Sequence, residues 1–230
     1  MARLDFITAL HTQTRRDYRE RVAVHDKAEC ARVAKRFDAD YWDGARRFGY
    51  GGFRDDGRWQ GVARRIANHY GLHAGQAVLD IGCGKAFLLN ELATAVPGLV
   101  VRGLDISRYA IEHAPEHVRE FLDEGTATNL PYSDSSFDLV LSINTLHNLG
   151  IRDLETAFRE IRRVGRGAAF IVVESWRDER EKANLLAWQL TCESLFSVDG
   201  WEWIFERFGY TGDHEFIFFA GDAPDSENGS

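Results

Sequence analysis

Ala77-Val78-Leu79-Asp80-Ile81-Gly82-Cys83-Gly84-Lys85-Ala86-Phe87-Leu88-Leu89 is the stretch on which the fold turns. Val78, Leu79 and Ile81 make a short apolar run of the kind found in a strand covered on both faces, and Asp80 interrupts it near its carboxyl end. Gly82 and Gly84 let the backbone turn sharply and approach a ligand with no Cβ in the way. From Lys85 to Leu92 the spacing becomes helical, with Phe87, Leu88 and Leu92 on one apolar face. Strand, glycine turn and helix open an α/β sheet, and ligands of such sheets bind in the crevice at the carboxyl ends of the strands.

Two cofactor classes use a turn of this kind. A dinucleotide needs backbone N–H groups aimed at a pyrophosphate, hence a G-x-G-x-x-G pattern. Here the third glycine position of that pattern is Phe87, and Asp80 is an odd neighbour for a pyrophosphate. S-adenosylmethionine carries a sulfonium, an ammonium and a carboxylate but no phosphate, so an acid at the strand end suits its cationic part. The next apolar run, Leu99-Val100-Val101-Arg102-Gly103-Leu104, ends in Asp105, placed to accept the hydroxyls of a ribose. Asp105 fits either cofactor; Asp80 and Phe87 move the balance to S-adenosylmethionine.

Val78-Leu79-Asp80-Ile81-Gly82-Cys83-Gly84 resembles the first motif of class I S-adenosylmethionine-dependent methyltransferases. Gly103-Leu104-Asp105-Ile106-Ser107 resembles their second motif. Gly125-Thr126-Ala127-Thr128-Asn129-Leu130-Pro131-Tyr132 and Ser136-Phe137-Asp138-Leu139-Val140 are similar to the third and fourth. The resemblance implies a Rossmann-like, mostly parallel α/β sheet flanked by helices, usually of seven strands with the last antiparallel. It also implies S-adenosylmethionine held by Asp80, Gly82, Cys83, Gly84, Asp105, Ile106, Thr126, Ala127 and Asn144. Two positions depart from the family pattern. Ala86 stands where the first motif usually has its third glycine, and because alanine tolerates positive φ poorly, an ordinary helical φ is predicted there. Thr126 stands where an acid or amide often meets the adenine amine.

The chain has 230 residues and a net charge of −8. That suits one α/β domain with an added segment. The acidic balance argues against nucleic acid as the main partner, since phosphate binding needs a basic face. The 3 cysteines are Cys30, Cys83 and Cys192; widely spaced, they form no zinc pattern and suggest a reducing compartment. The histidines form no two-His motif with an acid nearby, so no metal is expected. With no 18-residue apolar run and no signal-like N-terminus, the reading is cytoplasmic, with no membrane partner. The oligomeric state is open, a homodimer being one arrangement the sequence allows.

In chain order, residues 1 to about 38 read as helical, with Leu4, Ile7, Leu10 and Thr14 sharing one face and Ala28, Ala31, Val33, Ala34 and Phe37 marking a second helix. Residues 38–59 are dense in glycine, aromatic and charged residues, as functional lids often are. Residues 1–59 are therefore expected to form an N-terminal helical lid, with Tyr18, Tyr41, Trp42 and Tyr50 facing an acceptor. Residues 60–221 form the methyltransferase domain and 222–230 a disordered tail. A helix is predicted over 60–73. Another, over 107–122, is started by Ser107 and broken at Pro115, and a short strand follows near 124–127. Strands are predicted at 137–143 and 168–173, helices at about 178–190 and 199–208, and a late strand at 214–220.

The expected activity is methyl transfer from S-adenosylmethionine to an oxygen or nitrogen of a small polar metabolite, such as a sugar, amino acid or natural-product intermediate. The alternatives are a non-catalytic S-adenosylmethionine-binding module and a nicotinamide-dependent oxidoreductase. Methyl transfer needs alignment and exclusion of water, and a hydroxyl or protonated amine acceptor must also lose a proton. His147 after the fourth strand, Glu174 at the end of the fifth, and the His214–Glu215 pair on the late strand are the groups that could take it.

Overall fold

The structure is a computed structural model and describes residues 1–12 and 17–221. Thr14, Arg15, Arg16 and the tail 222–230 lie outside the described residues. The chain begins extended, not helical. The Leu4 N–H donates to His214 O at 2.8 Å and the His214 N–H to Ala2 O at 3.0 Å, a parallel bridge. The expectation of helix from the first residues is thereby corrected, and the cause lies far away in sequence. The Glu215 carboxylate accepts the N–H groups of Phe6, Ile7 and Thr8 and the Thr8 hydroxyl, at 2.6–2.9 Å. A buried acid on the last strand thus holds the chain where the local pattern alone suggests a longer helix.

Short helices follow: α1 (Thr8–Thr12), α2 (Glu20–Val24), α3 (Lys27–Ala34) and α4 (Ala39–Trp42). The α/β unit then runs α5 (Trp59–Tyr70), β1 (Ala77–Ile81), α6 (Phe87–Ala95), β2 (Val100–Asp105), α7 (Arg108–Glu112), α8 (Glu116–Arg119) and β3 (Leu122–Glu124). It continues with β4 (Phe137–Ile143), α9 (Ile151–Val164), β5 (Gly165–Glu174), α10 (Glu179–Trp188), α11 (Val198–Arg207) and β6 (Asp213–Ile217). Pro115 divides α7 from α8, as its missing N–H requires. The third strand ends at Glu124, slightly earlier than the pattern suggests.

Among the described residues the sheet has 6 strands in the order β3-β2-β1-β4-β5-β6, and every ladder is parallel. No antiparallel last strand is present among them: β6 pairs directly with β5, and the extended N-terminus bridges to β6. Side chains alternate across the sheet. Val78, Leu141 and Val172 join α5 and α6 on one face, while Leu79, Val140 and Ile171 join α9 and α11 on the other. Both faces are covered, so the strands read as apolar runs. In the strand order β1 has β2 on one side and β4 on the other, and in sheets of this kind ligands bind outside the carboxyl ends of the strands at such a switch point.

Candidate active site

The turn after β1 is stitched to the end of β2. The N–H groups of Gly82 and Cys83 donate to Leu104 O at 2.7 and 3.2 Å. The Asp105 carboxylate accepts the Gly84 N–H and the Ser107 N–H, each at 2.7 Å. Gly82 has φ +76°, and a Cβ there would lie 2.0 Å from Thr145 Oγ1; Gly84 has φ +55°, and a Cβ there would lie 2.7 Å from Trp42 Cη2. Glycine is required at both positions by conformation and by space. Ala86 also takes left-handed φ, at 55°, which corrects the helical φ predicted for it. Its N–H still donates to Cys83 O at 2.9 Å, so the tight turn imposes the conformation and alanine bears the strain.

Asp80 is buried, and its Oδ1 has no hydrogen-bond partner; the Oδ1 of Asn144, just beyond β4, is in the same condition. Asn144 is held at φ 55°, a sparsely populated conformation for a non-glycine residue. Buried orphan acceptors are costly, so a donor is the natural complement of this pair. Burial, with Asp105 nearby, pushes the Asp80 carboxyl up to about 7. The folded state therefore holds this proton more tightly than the unfolded chain. The resulting stability is present below the ordinary carboxylate range and is lost as pH rises through about 7. Asp80→Asn is expected to flatten that decline. Urea unfolding of the cofactor-free protein between about pH 4 and 8 measures it, and an unchanged slope would refute the assignment.

Ile106, beside Asp105, leaves 61% of its surface exposed, an apolar platform at the end of β2. Thr126 is exposed, its hydroxyl 3.1 Å from that of Thr128, and Ala127 is buried next to it. Cys83 points elsewhere: its Sγ packs against Gly103, where an added Cβ would lie 2.8 Å away. The cysteine side chain covers Gly103 of β2 alongside Leu89 and Leu122.

The N-terminal segment is docked on the turn. Trp42 Nε1 donates to Ser107 Oγ at 2.8 Å and to Phe37 O at 3.1 Å. The Trp42 ring stacks on Tyr50 at 5.3 Å between centroids. Lys85, buried within the turn, donates to both oxygens of Asp43 at 2.8 and 2.7 Å and to Phe53 O at 2.8 Å. Desolvation works against Asp43, yet hydrogen bonds from Lys85 and Tyr109 hold its carboxyl below the usual range. This anchor was missed in the sequence reading; a lone lysine after the glycines gives no hint of a partner in the preceding segment. Tyr41 and Tyr50 meet edge to face, 5.4 Å between ring centroids, and burial, with the charge of Glu174, pushes both hydroxyls up. Desolvation, aided by Glu174, pushes Tyr50 up to about 12. Tyr18 is apart, packing on Trp188 and Phe219.

Beyond the carboxyl ends of β4 and β5, His147 and Glu174 come together. His147 Nε2 lies 3.7 Å from Glu174 Oε2, and both residues are buried. Burial pushes His147 down to about 3 and Glu174 up to about 8. Near neutral pH the imidazole is thus an uncharged, weakly basic group. The Glu174 carboxylate accepts from Gln189 Nε2, and the Glu174 carbonyl accepts from Trp201 Nε1 at 3.0 Å. His214 is not part of this site. It pairs with Ile171, three residues before Glu174, and its ring packs on Phe205 and Phe216 at 5.2 and 5.0 Å. Register, which the local sequence does not state, keeps it below the carboxyl edge of the sheet, while Glu215 is committed to the N-terminus.

The residues at the switch point fit S-adenosylmethionine. The orphan acceptors of Asp80 and Asn144 suit its ammonium, Asp105 its ribose hydroxyls and Ile106 its adenine. None of the helices among the described residues is long and apolar enough to cross a membrane.

Residues 79–173 match the family described as methyltransferase domain. The chain is 34% identical over 122 residues to 27-O-demethylrifamycin SV methyltransferase of Amycolatopsis mediterranei, covering 48% of this chain and 44% of that protein. It is 31% identical over 162 residues to methyltransferase GfsG of Streptomyces halstedii, covering 64% and 57% respectively. The chain thus spans about half the length of these curated relatives. The YcgJ protein of Bacillus subtilis shares the fold, with a TM-score of 0.52 at 22% identity over 65% of this chain and 67% of that one. Across residues 79–173 the chain is thus similar to S-adenosylmethionine-dependent methyltransferases.

Proposed function

We propose that the protein methylates an oxygen or nitrogen of a small polar metabolite, of the natural-product kind. The observation that carries this reading is the pairing, across one crevice, of orphan acceptors beside the glycine turn with the buried His147–Glu174 pair at the ends of β4 and β5. S-adenosylmethionine supplies an electrophilic methyl when bound. Asp80, Asn144 and Asp105 hold the donor, with Ile106, Thr126 and Ala127 around its base. Tyr41, Trp42 and Tyr50 cover the crevice as a lid, exclude water and give an acceptor a wall of aromatic faces and hydroxyls. His147 and Glu174 set the protonation state of the acceptor. One relative is named as a 27-O-demethylrifamycin SV methyltransferase, which favours an oxygen acceptor. The acidic chain and the buried, uncharged acceptor end favour a small molecule over nucleic acid.

Calorimetric titration with S-adenosylmethionine, S-adenosylhomocysteine and NADH tests the cofactor. Binding of the first two without the third is expected; binding of NADH alone would overturn the reading. Screening of hydroxylated natural products, sugars and amines then tests turnover. Absence of methyl transfer to any acceptor, with the cofactor bound, would favour a binding module. With an acceptor in hand, His147→Ala is expected to lower kcat on the order of 100-fold, with S-adenosylhomocysteine affinity nearly unchanged. An unaltered kcat would remove His147 from the acceptor chemistry.

A further inference from the structure

His147, Glu174 and Cys192 reach one point from three stretches of chain: the turn after β4, the end of β5 and the loop after α10. Each offers one ligand atom, and these atoms lie within 4.8 Å of one another. The imidazole is 2% exposed, its Nδ1 has no hydrogen-bond partner, and its Nε2 stops short of hydrogen-bond reach of Glu174. A buried ring left in this condition is costly unless a further group completes it.

The surroundings hold all three residues in place. Cys192 Sγ donates to His147 O at 3.2 Å. The N–H groups of Glu193 and Ser194 donate to the same carbonyl at 3.0 and 2.9 Å. Gln189 orients the Glu174 side chain, and Trp201 secures its backbone. Outer partners of this kind are what fix ligand orientation in metal centres.

One imidazole nitrogen, one carboxylate oxygen and one thiolate sulfur are the donors of a borderline-soft cation. Calcium and magnesium call for oxygen alone, whereas zinc takes this set tetrahedrally. Three protein ligands with a fourth position open is the arrangement of catalytic zinc sites. Charge also balances. The ligands bind deprotonated, their protons going to solvent, and the dication with thiolate, carboxylate and neutral imidazole leaves a buried site of no net charge.

We propose that His147, Glu174 and Cys192 bind a zinc ion whose fourth position takes the oxygen of the methyl acceptor. Zinc binding stands by itself; the role toward the acceptor rests on the methyltransferase reading. A hydroxyl bound to zinc loses its proton to solvent far more readily than a free one. His147 and Glu174 then act on the acceptor as ligands of the ion.

The test uses the full chain, stripped with chelator and then equilibrated with zinc or cobalt(II). One bound zinc per chain by atomic emission is expected, with thiolate-to-cobalt charge-transfer absorption in the near ultraviolet. Cys192→Ser should lose both while circular dichroism stays unchanged, and Cys30→Ala should keep both. Should Cys192→Ser fail to fold, Glu174→Gln, which retains a side chain for Gln189 to meet, should lose the ion. Gln189→Ala should lower zinc affinity by about 10- to 100-fold. No stoichiometric zinc, or a charge-transfer band that survives in Cys192→Ser, would overturn the site. Zinc binding without S-adenosylhomocysteine binding would support the metal site and refute the methyltransferase reading instead.

Discussion

Asp105→Ala is expected to weaken S-adenosylhomocysteine binding on the order of 100-fold, measured by calorimetry at constant pH. The carboxylate has two duties. Its oxygens accept the Gly84 and Ser107 N–H groups at 2.7 Å, which holds the glycine turn against the end of β2. Its remaining lone pairs are free for ribose hydroxyls. Charge-assisted hydrogen bonds contribute roughly 1.5–3 kcal/mol each, and alanine removes them while leaving buried N–H groups unpaired. Asp105→Asn separates the two duties, since one amide oxygen still accepts while the charge is gone. A loss near 10-fold for asparagine and near 100-fold for alanine is the expected order. Unchanged affinity in the alanine variant would show that the ribose is held elsewhere.

The second large effect concerns stability. Trp201 is fully buried, its ring against Phe196 and Phe205, and Nε1 donates to Glu174 O. Trp201→Ala is expected to destabilise the protein by about 3–5 kcal/mol through the lost burial and the cavity. Trp201→Phe keeps most of the apolar volume but leaves the Glu174 carbonyl without its donor, at a cost of about 1–3 kcal/mol. Urea unfolding of both variants checks the order. If the phenylalanine variant is as stable as the parent, the bond to the end of β5 contributes little. A fall in zinc affinity in that same variant would connect the core to the acceptor end of the site.

The join between the turn after β1 and the end of β2 was legible in residues 77–105. There a strand, a turn and the next strand lie close in sequence, so the spacing of Asp80, Gly82, Gly84 and Asp105 already states their geometry. Ala86 shows the limit of that reading. Residue preference argued for helical φ, yet the turn set by Cys83 and Gly84 imposes φ 55° on the alanine. The acceptor half was only half legible. His147 and Glu174 could be placed at strand ends from apolar runs, but Cys192 lay in a stretch with no periodicity.

What the sequence determined by itself is the α/β class and the strand–turn–helix that carries Asp80, Gly82 and Gly84, because a buried parallel strand and its glycine turn carry a local signature. Tertiary structure alone decided three things. The register of β6 on β5 puts His214 with Ile171 and away from the edge. The Glu215 contacts turn the N-terminus into an extended arm. The packing of three distant segments brings His147, Glu174 and Cys192 together. Each depends on pairing between segments far apart in the chain, where hydrogen-bond register and burial across the sheet choose the partner and no local pattern does.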